Sequence, residues 1–232
     1  MKREPEDWPL AVVFDLDGTL VDSAADIADA LNRTIALRGL APFTLAEVKA
    51  MVGGGVPKLA ERALIARGAA VAEVPAIVAG FVQFYRERLT AKTTLCEGAP
   101  EILERLQREG RRLGLCTNKQ HELTVLALGE LGIANYFPAV AGERDGHPRK
   151  PDPAPLLGVL SALGVAPGDA VMVGDSAADV DCAKAASVAS VAVRGGYTQA
   201  PVEELGADSV IGSLKDLPAC LASLRSKRAP LR

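Results

Sequence analysis

The chain has 232 residues, 49% of them hydrophobic, with 26 Lys and Arg against 29 Asp and Glu for a formal net charge of −3. That length suits one large α/β domain, or a core with a smaller insert, and the apolar fraction is enough for a packed core. The charge balance leaves no nucleic-acid footprint, no apolar run approaches the roughly 20 residues of a membrane span, and Met1 to Trp8 lack a signal peptide's apolar stretch. Five Phe, three Tyr and one Trp are few, so aliphatic side chains must fill the core. Cys96, Cys116, Cys182 and Cys220 show no paired spacing and read as reduced, mostly buried thiols, which points to the cytoplasm. His121 and His147 lack metal-ligand spacing and read as surface loop residues.

The first expected strand is Leu10-Ala11-Val12-Val13-Phe14. It runs into Asp15-Leu16-Asp17-Gly18-Thr19-Leu20 and then Val21-Asp22-Ser23. A core strand has no structural use for two carboxylates at its C-terminal end, because an unpaired buried charge there costs on the order of several kcal/mol. That edge is where open α/β sheets bind their ligands.

A helical stretch follows. Ser23 and Asp26 resemble a capping arrangement, and Ile27, Leu31 and Ile35 recur at helical spacing until Gly39. Thr44-Leu45-Ala46-Glu47 is a capping box opening a second helix, which ends at Gly53-Gly54-Gly55. A third helix is expected over Pro57 to Arg67 and a fourth over Pro75 to Leu89. From Glu97 helices and short β-branched runs alternate. The expected strands are Arg112–Cys116, Ala139–Ala141, Ala170–Val173, Ser190–Val193 and Ser209–Ile211. The expected helices are Pro100–Glu109, His121–Leu131, Pro153–Leu163 and Asp179–Ala186. This alternation implies a doubly wound, Rossmann-like parallel sheet with helices on both faces. Residues 1–22 and 91–232 would form that core, and residues 23–90 a small all-helical cap inserted after the first strand. The basic end, Arg225 to Arg232, reads as a solvated, fraying terminus.

Further strand ends carry polar groups. Thr117-Asn118-Lys119 ends the second core strand, Lys150 precedes a helix, and Val173-Gly174-Asp175-Ser176 ends another strand with Asp179 one helical turn later. A parallel sheet brings these to one edge. They supply a nucleophile, a second carboxylate, a hydroxyl, a cation and a further carboxylate pair. That is the inventory for metal-assisted phosphoryl transfer through an aspartyl-phosphate.

In this order the four stretches resemble the haloacid-dehalogenase superfamily of aspartate-nucleophile phosphohydrolases. Val52-Gly53-Gly54-Gly55, Glu61-Arg62-Ala63-Leu64, Thr117-Asn118-Lys119 and Lys150-Pro151-Asp152-Pro153 are similar to its phosphoglycolate phosphatases. The resemblance implies that Asp15 is the nucleophile and Asp17 the general acid and base. It implies Mg²⁺ held by the side chains of Asp15 and Asp175 with the backbone carbonyl of Asp17. Thr117, Asn118 and Lys150 would hold the phosphoryl group, and Asp179 would orient Lys150 or metal-bound water. The substrate would be a small phosphate ester, 2-phosphoglycolate first, with sugar phosphates, nucleotides and pyrophosphate open. Ala186-Ser187 stands where relatives commonly end the helix with glycine.

Several residues admit two readings. Asp22 and Ser23 cap the first cap helix or belong to the site; Asn118 is a turn former or also touches phosphate. Gly53, Gly54 and Gly55 are a turn, or a close-approach surface for a small anion that sets substrate choice. Lys58, Arg62 and Lys119 are a solvated helix face or meet a substrate carboxylate. Gly195-Gly196-Tyr197 reads as a loop without chemistry. Asp17 argues against the dehalogenase and phosphonate-cleaving branches, which lack a second aspartate. The absence of a His after Asp22-Ser23 argues against a sugar-phosphate mutase, and a non-catalytic phosphate sensor would not retain so costly a set of charges. Oligomeric state is not legible.

Overall fold

A computed structural model describes residues 8–198 and 200–228. Residues 1–7 of the charged N-terminal stretch and the last residues of the basic end, Pro230 among them, lie outside the described residues.

Strand β1 (Ala11–Phe14) is buried throughout, because it lies at the centre of a sheet covered on both faces. Val12 and Phe14 enter one apolar cluster, Ala11 and Val13 the other. Such a strand needs an unbroken apolar run rather than an alternating one. Strands β4 (Arg112–Gln120), β5 (Ala139–Glu143), β6 (Ala170–Gly174), β7 (Ala189–Val193) and β8 (Ser209–Ile211) complete a six-stranded sheet in the order β5-β4-β1-β6-β7-β8. Every pairing is parallel. Helices α5 (Ala99–Arg108) and α9 (Leu217–Arg228) pack on one face, α7 (Ala154–Leu163) and α8 (Ala177–Ala185) on the other.

Between the first strand and the rest lie α1 (Ala24–Ala36), α2 (Leu45–Lys49), α3 (Gly55–Ala66) and α4 (Val74–Glu87). They share their own cluster, in which Leu31 and Ile35 of α1 meet Leu59 and Leu64 of α3 and Ile77 and Phe81 of α4. Leu123 and Ala127 of α6 (His121–Glu130) enter the same cluster and seat it on the sheet layer. Short strands β2 (Val21–Asp22) and β3 (Thr94–Leu95) pair antiparallel and bind together the two chain passages into this helical layer. No helix of the described residues is long and apolar enough to cross a membrane.

Several boundaries and one cap differ from the sequence reading. Strand β4 continues to Gln120 instead of stopping at Cys116, with a register irregularity against β5 between those residues. Helix α3 begins at Gly55, and α8 at Ala177, because the Asp179 carboxylate accepts from the Ser176 backbone N–H at 3.0 Å and its hydroxyl at 2.6 Å. Ser23 and Asp26 do not cap α1 together. The Asp26 carboxylate accepts instead from the part-buried Lys92 N–H and the buried Thr93 hydroxyl at the junction between the layers. The Thr44–Glu47 capping box is present as read, Glu47 N–H donating to the Thr44 hydroxyl at 3.2 Å and Thr44 N–H to the Glu47 carboxylate at 2.7 Å.

Candidate active site

The order of the sheet sets β1 between β4 and β6, so the C-terminal ends of three adjacent strands meet under the cap helices. Asp15 follows β1 and still pairs with β6, its N–H donating to the Val173 carbonyl at 2.9 Å. Asp175 follows β6. Carboxylate oxygens of Asp15, Asp175 and Asp179 lie within 4.8 Å of one another, and all three residues are buried.

Lys150 balances part of that charge. Its Nζ makes ion pairs with Asp15 Oδ1 at 2.9 Å and Asp179 Oδ1 at 2.5 Å and donates to the Cys116 carbonyl at 2.7 Å. Burial opposes its charge, but Asp15 and Asp179 outweigh that and hold it well above the usual lysine range. Both Asp179 oxygens are occupied, Oδ1 by Lys150 and Oδ2 by Ser176.

The remaining carboxylates are short of positive charge. Burial raises Asp15 from 3.8 to about 6, with Lys150 opposing and Asp179 adding to the rise. Burial, then Asp15 and Asp179, raises Asp175 from 3.8 to about 8. An all-oxygen, carboxylate-rich cluster that resists ionising without a further cation fits a hard divalent ion.

Asp17 is held by two residues. Its Oδ1 accepts from the Ser23 hydroxyl at 2.6 Å and from Lys119 Nζ at 3.1 Å, which also reaches Oδ2 at 3.2 Å. Lys119 is therefore not on a solvated helix face: the extension of β4 buries it, and its Nζ also donates to the Tyr85 phenol oxygen at 2.5 Å. Ser23 belongs to the site rather than to a cap. Burial opposes the Lys119 charge, but Asp17 and Tyr85 raise it above the usual range.

Thr117 is buried within the extended β4, and the Asn118 amide donates to the Lys150 carbonyl at 3.0 Å, tying β4 to the lysine loop. Both line the cavity between sheet edge and cap, with Asp15, Asp17, Lys119 and Lys150. Gly53 and Gly55 line it from the cap side, whereas Gly54 faces Lys58 and an outer cleft. Gly55 has φ +80°, and a Cβ there would stand 2.9 Å from Glu143 Oε2 and 3.3 Å from the Asn118 carbonyl. Lys58 pairs with Glu61 on the exposed helix face, and Arg62 donates to the Met51 carbonyl at 2.7 Å. His147 is exposed, while His121 is half-buried and opens α6.

Tyr197 escaped the sequence reading. Its N–H donates to Asp175 Oδ2 at 2.6 Å, and its phenol donates to Asp22 at 2.7 Å while accepting from the Ser23 and Ala24 N–H groups. A Cβ on the preceding Gly196 would run into the Asp175 carboxylate. The paired glycines were the only sequence signal of that close approach. Thr19 donates to the other Asp175 oxygen at 3.0 Å.

The family model for haloacid dehalogenase-like hydrolases matches residues 12–193. The phosphoglycolate phosphatase of Caulobacter vibrioides is 40% identical over 222 residues, covering 94% of each chain. That of Rhodospirillum rubrum is 43% identical over 215 residues, 90% of this chain and 89% of its own. The crystal structure of a predicted phosphoglycolate phosphatase from Haemophilus somnus 129PT superposes with a TM-score of 0.86 at 28% identity, covering 91% of this chain and 97% of that one. With its charged groups gathered at the sheet edge that this family shares, the chain belongs to the haloacid dehalogenase-like hydrolases and is a phosphoric monoester hydrolase similar to the phosphoglycolate phosphatases.

Proposed function

We propose that the chain hydrolyses 2-phosphoglycolate to glycolate and phosphate, with Mg²⁺ bound, through an aspartyl-phosphate on Asp15. The observation that carries the mechanism is the buried Asp15 carboxylate at the end of β1, 2.9 Å from Lys150 and clustered with Asp175. The substrate follows the name shared by the curated relatives. Four cysteines without disulfides suit a reducing compartment, in line with a cytoplasmic enzyme.

An Asp15 oxygen attacks phosphorus as the ester P–O bond breaks, and Asp17 gives its proton to the departing alkoxide. Asp17 then takes a proton from water, which attacks the same phosphorus. The P–O bond to Asp15 breaks and phosphate leaves. Lys150 and Thr117 hold phosphoryl oxygens, and Asn118 fixes the Lys150 loop. Asp179 orients Lys150, and Ser23 and Lys119 orient Asp17. The side chains of Asp15 and Asp175 with the Asp17 carbonyl would hold Mg²⁺, which offsets the repulsion between an anionic nucleophile and an anionic phosphate.

A hydrolysis panel of small phosphate esters with Mg²⁺, ranked by kcat/KM, tests the reading. We expect 2-phosphoglycolate to lead; a sugar phosphate, nucleotide or pyrophosphate ahead of it by about tenfold would overturn the substrate. Acid-quenched Asp17→Asn protein given an aryl phosphate, whose leaving group needs little protonation, should carry phosphate on Asp15, since the attacking water lacks its base.

A further inference from the structure

We propose that Lys119 and the phenol of Tyr85 form a subsite for a carboxylate on the organic end of the substrate. The inference rests on the phosphatase reading above and defines its substrate class as short phosphate monoesters that carry a carboxylate.

The continuation of β4 past Cys116 sends Lys119 into the cavity instead of into solvent, and its side chain is only 5% exposed. An ammonium has three N–H donors. Among the described residues its side-chain partners are Asp17 and Tyr85. The Tyr85 oxygen accepts from Lys119, and its own O–H has no acceptor among the described residues. Tyr85 therefore brings a spare O–H donor, and Lys119 a buried ammonium shared between Asp17 and that phenol, to a wall otherwise built from Ile27, Val56, Leu59 and Phe81.

A carboxylate entering that wall needs a cation, because an unpaired charge in apolar surroundings is costly. Lys150 is the other ammonium on the cavity lining among the described residues, and it is committed to Asp15, Asp179 and the Cys116 carbonyl. Lys119 also stands in the right place along the substrate. It is 3.1 Å from Asp17, the group that would reach the ester oxygen, so what it touches next lies a bond or two beyond that oxygen. A carboxylate there would bridge the core, through Lys119, and the cap, through Tyr85 of α4, so that binding favours a seated cap.

The test compares kcat/KM for 2-phosphoglycolate with that for 2-hydroxyethyl phosphate, in which an alcohol replaces the carboxylate. Wild type, Lys119→Met and Tyr85→Phe are measured, with thermal melts to establish folding. Losses from disturbing Asp17 fall on both esters and cancel in the ratio. We expect the preference for the carboxylate ester to fall about 100-fold in Lys119→Met and about tenfold in Tyr85→Phe. Should Lys119→Met fail to fold, Tyr85→Phe decides by the same ratio.

An unchanged ratio overturns the subsite, while a wild type that still prefers 2-phosphoglycolate keeps the phosphatase reading. Adding 3-phosphoglycerate and phosphoserine separates the other case. If wild type prefers one of these and Lys119→Met loses that preference, the subsite stands and 2-phosphoglycolate falls. A wild type indifferent to the carboxylate overturns both.

Discussion

Asp15 and Asp175 are carboxylates kept from water beside each other, with one ammonium, Lys150, close to Asp15. Asp15→Asn should lower kcat by about a thousandfold or more, on the order of 4 kcal/mol of barrier, because an amide does not attack phosphorus. The same variant should melt higher than wild type in chelator, since a buried charge is gone; steady-state hydrolysis and a melt check both. Linkage gives a second expectation. Folded Asp15 and Asp175 titrate near about 6 and about 8 against 3.8 in the unfolded chain, so the folded state holds these protons more tightly. Their contribution is fully present below the unfolded value and is lost as pH rises through the folded ones. In chelator, Tm should therefore fall between about pH 5 and about pH 8, and Asp175→Asn should flatten the slope. A flat wild-type profile would show that the cluster is not under charge strain.

Local sequence rules hold at the level of elements wherever no long-range partner competes. Thr44 and Glu47 cap α2 as their spacing says. Ser23 and Asp26 have a comparable spacing and do not, because Asp17 on one side and Lys92 and Thr93 on the other offer competing tertiary partners. At the end of α8, Ser187 N–H donates to the Lys184 carbonyl and Val188 N–H to that of Ala183, a Schellman closure with Ser187 at φ 57°. Glycine takes that conformation without a Cβ penalty. Ser187→Gly should stabilise by about 1 kcal/mol, raising Tm by about 2–4 °C with kcat/KM unchanged. In the cap, Gly55 and not Gly54 makes the close approach. Gly55→Ala should lower kcat/KM by about tenfold or more, by strain at φ +80° and by crowding Glu143 and Asn118, with the circular dichroism of the helices retained. Gly54→Ala, which meets only Lys58, should cost much less.

For the whole molecule, an Mg²⁺ bound at the acidic cluster, as proposed, would make metal and fold interdependent. Chelation should abolish hydrolysis and Mg²⁺ restore it, while Ca²⁺ should bind and inhibit, its larger and looser shell misplacing the nucleophile. Mg²⁺ should also raise Tm, and more at about pH 8 than at about pH 5, where protons already relieve the cluster. Full activity in excess chelator would remove the metal from the reaction. The sequence by itself determined the layered α/β architecture and the edge at which Asp15, Asp17, Thr117, Lys150 and Asp175 gather. Apolar runs, helix caps and the directionality of parallel strands are local properties that a linear reading can follow. Tertiary structure alone decided that Lys119 is a buried partner of Asp17, that Tyr197 fastens Asp175 to the start of α1, and that Tyr85 of the cap meets a core lysine. Those contacts join residues far apart in the chain, and a lysine or tyrosine reads alike in sequence whether its charged or polar end is solvated or enclosed. Only the packing of cap on sheet excludes the water that would otherwise have satisfied them.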